Sequence, residues 1–147
     1  MALAAAKAVA ISERRPDAVV IGADQILECE GIWFETPNDL VTARLALLSL
    51  RDRRHRLVSG VAVAQAGRCY WRHVDVATMT MRPFSEAFLT HYLETAATDA
   101  LDTVAGYRFE GPGVQLFSAT EGDIFTILGL PLLALFAYLR DQGMLLA

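Results

Sequence analysis

The chain has 147 residues, 54% hydrophobic and 20% charged, with a mean hydropathy of +0.33. That composition excludes a disordered chain, and the length is that of one domain able to bury a core without a disulfide or a metal. Thirteen Lys and Arg against 17 Asp and Glu give a net charge of −4, which excludes a general DNA or RNA binder. A pocket for one nucleotide needs only a few local charges and stays open. Cys29 and Cys69 make neither a C-x-x-C motif nor a zinc spacing, so two free thiols in a reducing cytoplasm are expected.

Met1 to Arg14 is Ala-rich without a breaker and predicts a helix, closed by Arg14, Arg15 and Pro16. Lys7 interrupts the apolar start too early for a signal-peptide core. Ala18 to Gly22 is a continuous apolar run and predicts a buried strand, followed by Gly22-Ala23-Asp24-Gln25. Thr36-Pro37-Asn38 predicts a turn, with Asn38 capping a helix whose apolar stripe is Leu40, Ala43, Leu47 and Leu50. Leu57 to Ala64 begins a long strand, Gln65 to Arg68 is a turn with Gly67, and Tyr70 to Met81 completes a hairpin. In the second strand Val74, Val76, Thr78 and Thr80 share a face. Ser85 predicts a cap for a helix running to about Thr95, with Phe84 and Leu89 as a staple. Gly106 to Gly113 reads as a glycine-punctuated loop and Val114 to Phe117 as a short strand. The longest apolar stretch, Ile124 to Leu139, is 16 residues and falls short of the roughly 18–20 that span a bilayer. It predicts a turn at Gly129-Leu130-Pro131 and a helix, Leu132 to Leu139, buried nearly all round. Alternating helices and strands predict an α/β fold, a mixed sheet with helices packed on it.

Asp24 follows a buried apolar run, and the C-terminal end of such a strand faces the ligand crevice in α/β sheets. A carboxylate there can hold Mg²⁺ or take a proton from water, or it can cap a turn. Glu110 lies between Phe109 and Gly111 in the glycine loop. It reads as a solvated loop residue or as an acceptor for paired N–H donors of a guanine edge. His55, His73 and His91 have no ligand spacing, and structural or surface roles are expected. Ser59 and Ser118 lack a nucleophile-elbow context. Arg51, Arg53, Arg54 and Arg56 read as cations complementing a helix C-terminus, with a phosphate or partner contact as the other reading.

The order of these pieces resembles the Maf family of nucleoside triphosphate pyrophosphatases over essentially the whole chain. Carrying the resemblance are Ala6-Lys7-Ala8, Val20-Ile21-Gly22-Ala23-Asp24-Gln25, Pro37, His55 with Val58-Ser59-Gly60-Val61, Tyr107 to Gly113, Gly122-Asp123 and Ile127-Leu128-Gly129-Leu130-Pro131. It implies a single Maf/ITPase-like domain over residues 1–147 with a mixed twisted sheet and flanking helices. It also implies cleavage between the α and β phosphates with a divalent cation, Mg²⁺ or Mn²⁺. Asp24 matches the family's proton acceptor and Lys7 a lysine near the phosphates. Gln25 with Glu110 resembles the branch that prefers 7-methyl-GTP, where the pyrimidine branch has Thr and Gln. The resemblance suggests a homodimer and a cytoplasmic enzyme, with no nucleic-acid polymer or membrane as partner.

Three positions depart from the family pattern. Its opening Ser-x-Ser-x-Arg-Arg type segment, a strand and phosphate-binding loop, is expected to be missing. Thr36 stands where the family has a phosphate-facing lysine, and Asp52 where it has glycine. A truncated, non-catalytic nucleotide-binding or interaction protein is therefore the alternative reading.

Overall fold

A computed structural model describes residues 2–146. The Ala-rich start forms α1 (Ala2–Arg14) with Ala4 and Ala8 buried one turn apart. It is followed by β1 (Val20–Cys29), β2 (Ile32–Phe34), α2 (Leu40–Leu50), β3 (Arg54–Gln65), β4 (Arg68–Met81), α3 (Glu86–Thr95) and α4 (Ala97–Asp102). The chain ends through β5 (Phe117–Glu121), α5 (Ile124–Ile127) and α6 (Leu132–Asp141). The strands make one five-stranded sheet in the order β2-β1-β3-β4-β5. The expected α/β fold of helices packed on a sheet forms, with the sheet antiparallel rather than mixed, since tight hairpins join β1 to β2 and β3 to β4.

Local chemistry sets the strand directions. Ala66 and Gly67 both take positive φ, 48° and 77°, which suits the two-residue turn joining β3 to β4. Glu30 and Gly31 do the same between β1 and β2, where Leu27 faces Phe34. Sequence reading missed that second hairpin. Cys29 bonds the Arg54 carbonyl and Gln25 bonds Ser59, so β3 ascends as β1 descends. β4 and β5 are antiparallel, with a register shift between Thr80 and Met81. On β4 the buried face is Ala77, Met79 and Met81, so the Val76, Thr78 and Thr80 face is the more open one.

Five further expectations are corrected. The strand expected at Ala18 to Gly22 is β1, and it runs on through Asp24 to Cys29. Gly22 does not end it; a Cβ at Gly22 would lie 2.3 Å from the Ala4 carbonyl oxygen, so the glycine marks where α1 crosses the strand. Asp24 is thus mid-strand rather than beyond a strand end. The cap of α2 is Asp39, not Asn38: its carboxylate accepts from Thr42 N at 2.7 Å. Pro112–Leu116 is a 3-10 turn, where Pro112 cannot donate to a ladder, and the strand starts only at Phe117.

The fourth correction concerns α6, which buries one face only: Leu135 and Leu139 pack with Val61 and Val63, while Leu133 is 62% exposed. A helix lying on a sheet has one face to bury. The fifth concerns the arginine cluster. Helix α2 has no basic residue in its last turn. The arginines are instead neutralised by carboxylates, Arg51 by Glu86, Arg53 by Glu30, Arg54 by Glu121 and Arg56 by Glu28. Asp52 between them has φ 62°, the left-handed conformation that Asp tolerates better than most residues.

The packing divides the chain into two compact units: Met1–Gln25 with Val58–Val76 and Asp123–Ala147, and Ile26–Leu57 with Ala77–Gly122. In the first, Ala4 and Ala8 pack with Ala62 and Ala64, and α6 packs with Val61 and Val63. In the second, Leu47, Leu50 and Leu89 are fully buried, and His55 lies among Tyr107 and Phe117. Among the described residues, no helix is long and apolar enough to cross a membrane.

Candidate functional site

The small residues of α1 bring it close to β1, and this places Lys7 beside Asp24. Lys7 Nζ donates to Asp24 Oδ1 at 2.7 Å; the Lys7 side chain is 53% exposed and that of Asp24 13%. The arrangement is a carboxylate held at a mostly covered position by a cation that still reaches solvent. Such a pair can orient a proton acceptor while leaving the cation free to meet an anion.

Gln25, next along the strand, projects to the opposite face. Its Nε2 donates to Ser59 Oγ at 2.9 Å, to the Thr126 carbonyl at 3.0 Å and to the Ile127 carbonyl at 3.1 Å. Ser59 Oγ donates to the same Thr126 carbonyl at 2.7 Å, and Thr126 Oγ1 donates to Asp75 Oδ2 at 2.7 Å. Ser59 and Thr126 are fully buried. Sequence reading missed this network. The available signal was a serine inside the apolar run of β3 and a threonine inside Ile124 to Leu139, since a buried hydroxyl needs a partner.

Glu110 belongs to the other unit, on the loop between Tyr107 and Gly113. Its side chain is 56% exposed, with Arg108 Nε 3.8 Å from Oε1. The loop is held tightly: a Cβ on Gly113 would sit 2.3 Å from the Arg108 carbonyl oxygen. Tyr107 and Phe109 at its start both pack on Phe117 beyond its end. Structure therefore joins Lys7 to Asp24 and ties Gln25 into a buried network, and it presents Glu110 on a braced loop.

His55 is buried beside that loop. Its Nε2 lies 2.8 Å from the Tyr107 hydroxyl, and Nδ1 has no partner. Burial pushes its pKa down to about 4 and pushes that of Tyr107 up. Between about pH 6.5 and pH 4 the unfolded chain binds the proton that the folded imidazole refuses, so stability is full above about 6.5 and falls as pH drops from there to about 4. Urea unfolding is expected to show wild type losing up to about 3 kcal/mol more than His55→Gln between pH 7 and pH 4. An identical pH dependence in the two proteins would show that the buried imidazole does not titrate there. His73 stacks on Trp71 and His91 is exposed, which places both in the structural or surface roles expected. Among the described residues, no three His, Cys, Asp or Glu side chains converge as a metal cage.

The chain matches the Maf family, described as Maf-like protein, over residues 1–142. It belongs to the Maf family. Relatives of this Maf chain include a nucleoside triphosphate pyrophosphatase of Paramagnetospirillum magneticum, 52% identical over 96% of this chain and 73% of the relative. One of Granulibacter bethesdensis carries the same name and is 51% identical over 96% of this chain and 72% of the relative. A 7-methyl-GTP pyrophosphatase of Brucella abortus is 46% identical over 95% of this chain and 70% of the relative. Both names thus occur among relatives of this Maf chain.

Proposed function

We propose that this Maf-family chain is a nucleoside triphosphate pyrophosphatase acting on a modified purine nucleotide of the 7-methyl-GTP kind. The observation that carries the reading is the 2.7 Å pair between Lys7 and Asp24, two residues the family motif marks, assembled from separate elements. Asp24 takes the proton of a water that attacks the α-phosphorus. The bond from that phosphorus to the bridging oxygen breaks, and monophosphate and pyrophosphate leave. Lys7, half exposed, holds the carboxylate in place and offers a point charge to the phosphates.

Mg²⁺ or Mn²⁺ fits this donor set as an ion carried on the triphosphate, because such ions often use only one or two carboxylates plus phosphates. Among the described residues no three carboxylates converge, so the phosphates themselves would supply most of its ligands while Asp24 keeps its role toward water. When bound, the ion neutralises phosphate charge. Glu110 supports the base preference: a carboxylate accepts from guanine N1–H and N2–H₂, and favours a purine made cationic by N7 methylation.

Pyrophosphate release with 7-methyl-GTP, GTP, dTTP, UTP and CTP tests the reading. Turnover of 7-methyl-GTP is expected to exceed that of the pyrimidine triphosphates about ten-fold or more in kcat/KM, the scale of one paired carboxylate contact. A pyrimidine triphosphate as the best substrate would overturn the base assignment. Release from none of them by folded protein would overturn the enzyme reading and favour a non-catalytic nucleotide binder.

A further inference from the structure

β1 is an edge strand for most of its length. β2 pairs with it only from Leu27 to Cys29, and among the described residues no strand lies outside Val20–Ile26. The hairpin fixes which backbone groups that edge presents. Glu30 and Gly31 make a two-residue turn, so the residues flanking it, Cys29 and Ile32, exchange both ladder bonds. Outward groups alternate from there, which leaves the N–H and C=O of Ile21, Ala23 and Gln25 facing outward. The usual guards of an open edge are absent, since Ala18 to Ala23 holds no charge and no proline. The stretch of β4 that β5 leaves open, Arg68 to Ala77, carries Arg68, Arg72 and Asp75 instead.

Apolar side chains flank the β1 edge. Ser12 ties one flank of α1 to Gly67 in the β3–β4 turn, and Lys7 on the other flank reaches Asp24 of β1. Leu3 and Ile11 share the Lys7 flank, four residues to either side of it, and are 54% and 41% exposed. On the opposite face of the strand Ile21 is 45% exposed.

We propose that a second copy of this chain pairs with this edge, antiparallel, about a two-fold axis through Ala23. In that register Ala23 faces Ala23 and Ile21 faces Gln25, so every outward N–H and C=O of the open edge finds a partner. The register also uses the whole of Val20–Ile26, with Val20 facing Ile26. The helices match about the same axis. Lys7 lies over Asp24, next to Ala23, so two α1 helices meeting antiparallel at Lys7 set Leu3 of one copy against Ile11 of the other. Charge matches as well. The two Asp24 residues become diagonal neighbours about 7–8 Å apart, each bringing its own Lys7. The axis gathers two lysines and two carboxylates with no charge in excess, and each copy brings a second lysine toward the other's Asp24. The pairing stands independently of the reaction proposed above.

Sedimentation of the wild-type chain tests the contact. A species of twice the 16.1 kDa chain mass is expected at micromolar concentration. A monomer, or an open series of larger species, would overturn the proposal, since a two-fold contact closes at two. Hydrogen exchange reads the edge itself. On dilution to monomer, the amides of Ile21, Ala23 and Gln25 should exchange at least about ten-fold faster, while those of Gly22 and Asp24, turned toward β3, keep their rates. Rates of the three outward amides that do not change on dissociation would place the contact elsewhere. Paired substitutions read the register. Leu3→Glu with Ile11→Glu sets like charges together at both helix contacts and should weaken pairing about a hundred-fold, whereas Leu3→Lys with Ile11→Glu sets opposite charges there and should keep it within about ten-fold of wild type. Positions 3 and 11 are separated by about 12 Å of helical rise and cannot pair within one chain. Equal pairing of the two variants would overturn the register. Both positions are exposed, and circular dichroism checks the fold of each variant. The exchange experiment uses wild type alone and decides the matter if a variant does not fold.

Discussion

Asp24→Asn is expected to lower kcat for pyrophosphate release by about 10²–10⁴, the usual range for a positioned general base. The fold should survive the change. Lys7 is half exposed, and a pair with that much solvent contact contributes about 0–1 kcal/mol, so thermal unfolding should shift by only a few degrees. The asparagine keeps the shape and an acceptor oxygen for Lys7, and it loses the ability to take a proton. Lys7→Met separates the two roles: it leaves the carboxylate, removes the cation, and should raise KM more than Asp24→Asn does. An Asp24→Asn protein retaining more than about a tenth of wild-type kcat would remove Asp24 from the chemistry.

Gly22→Ala is expected to cost about 2–3 kcal/mol and to cut kcat/KM at least about ten-fold, because it works on the contact that brings Lys7 to Asp24. The added Cβ would lie 2.3 Å from the Ala4 carbonyl oxygen and 2.9 Å from Ala8 N and Cβ. None of these atoms can turn aside, so α1 must move off β1. Lys7 sits between those two contact residues and moves with them. Gly31→Ala is the control: nothing lies within 4 Å of its Cβ, but its φ of +84° penalises a side chain. It should destabilise by about 1–2 kcal/mol and leave pyrophosphate release unchanged. Urea unfolding and pyrophosphate release on both variants make the comparison. Equal activity in Gly22→Ala and wild type would show that the helix crossing does not set the Lys7–Asp24 geometry.

Elements fixed by local chemistry were legible in the sequence. Ser85 caps α3 through the Phe88 amide as its position suggests, and Gly67 turns the β3–β4 hairpin. The missed elements are those whose signal depends on a neighbour. Gly22 reads as a strand end until α1 is laid across it. Four arginines read as helix-end cations until Glu28, Glu30, Glu86 and Glu121 are seen opposite them. Helix α6 reads as buried all round because composition does not say that only one of its faces meets the sheet.

By itself, the sequence determined the family, through the order of short motifs, and the residue types available for chemistry: a carboxylate, a lysine, a glutamine and a loop glutamate. Only the tertiary structure decided what each can do. Lys7 and Asp24 are 17 positions apart and meet because small side chains allow a helix onto a strand. Gln25 could donate or accept in any unfolded segment. Its nitrogen is consumed by carbonyls 101 and 102 positions away, leaving an acceptor. Hydrogen-bond capacity is written in the residue, but which part of it remains unspent is set by partners distant in the chain.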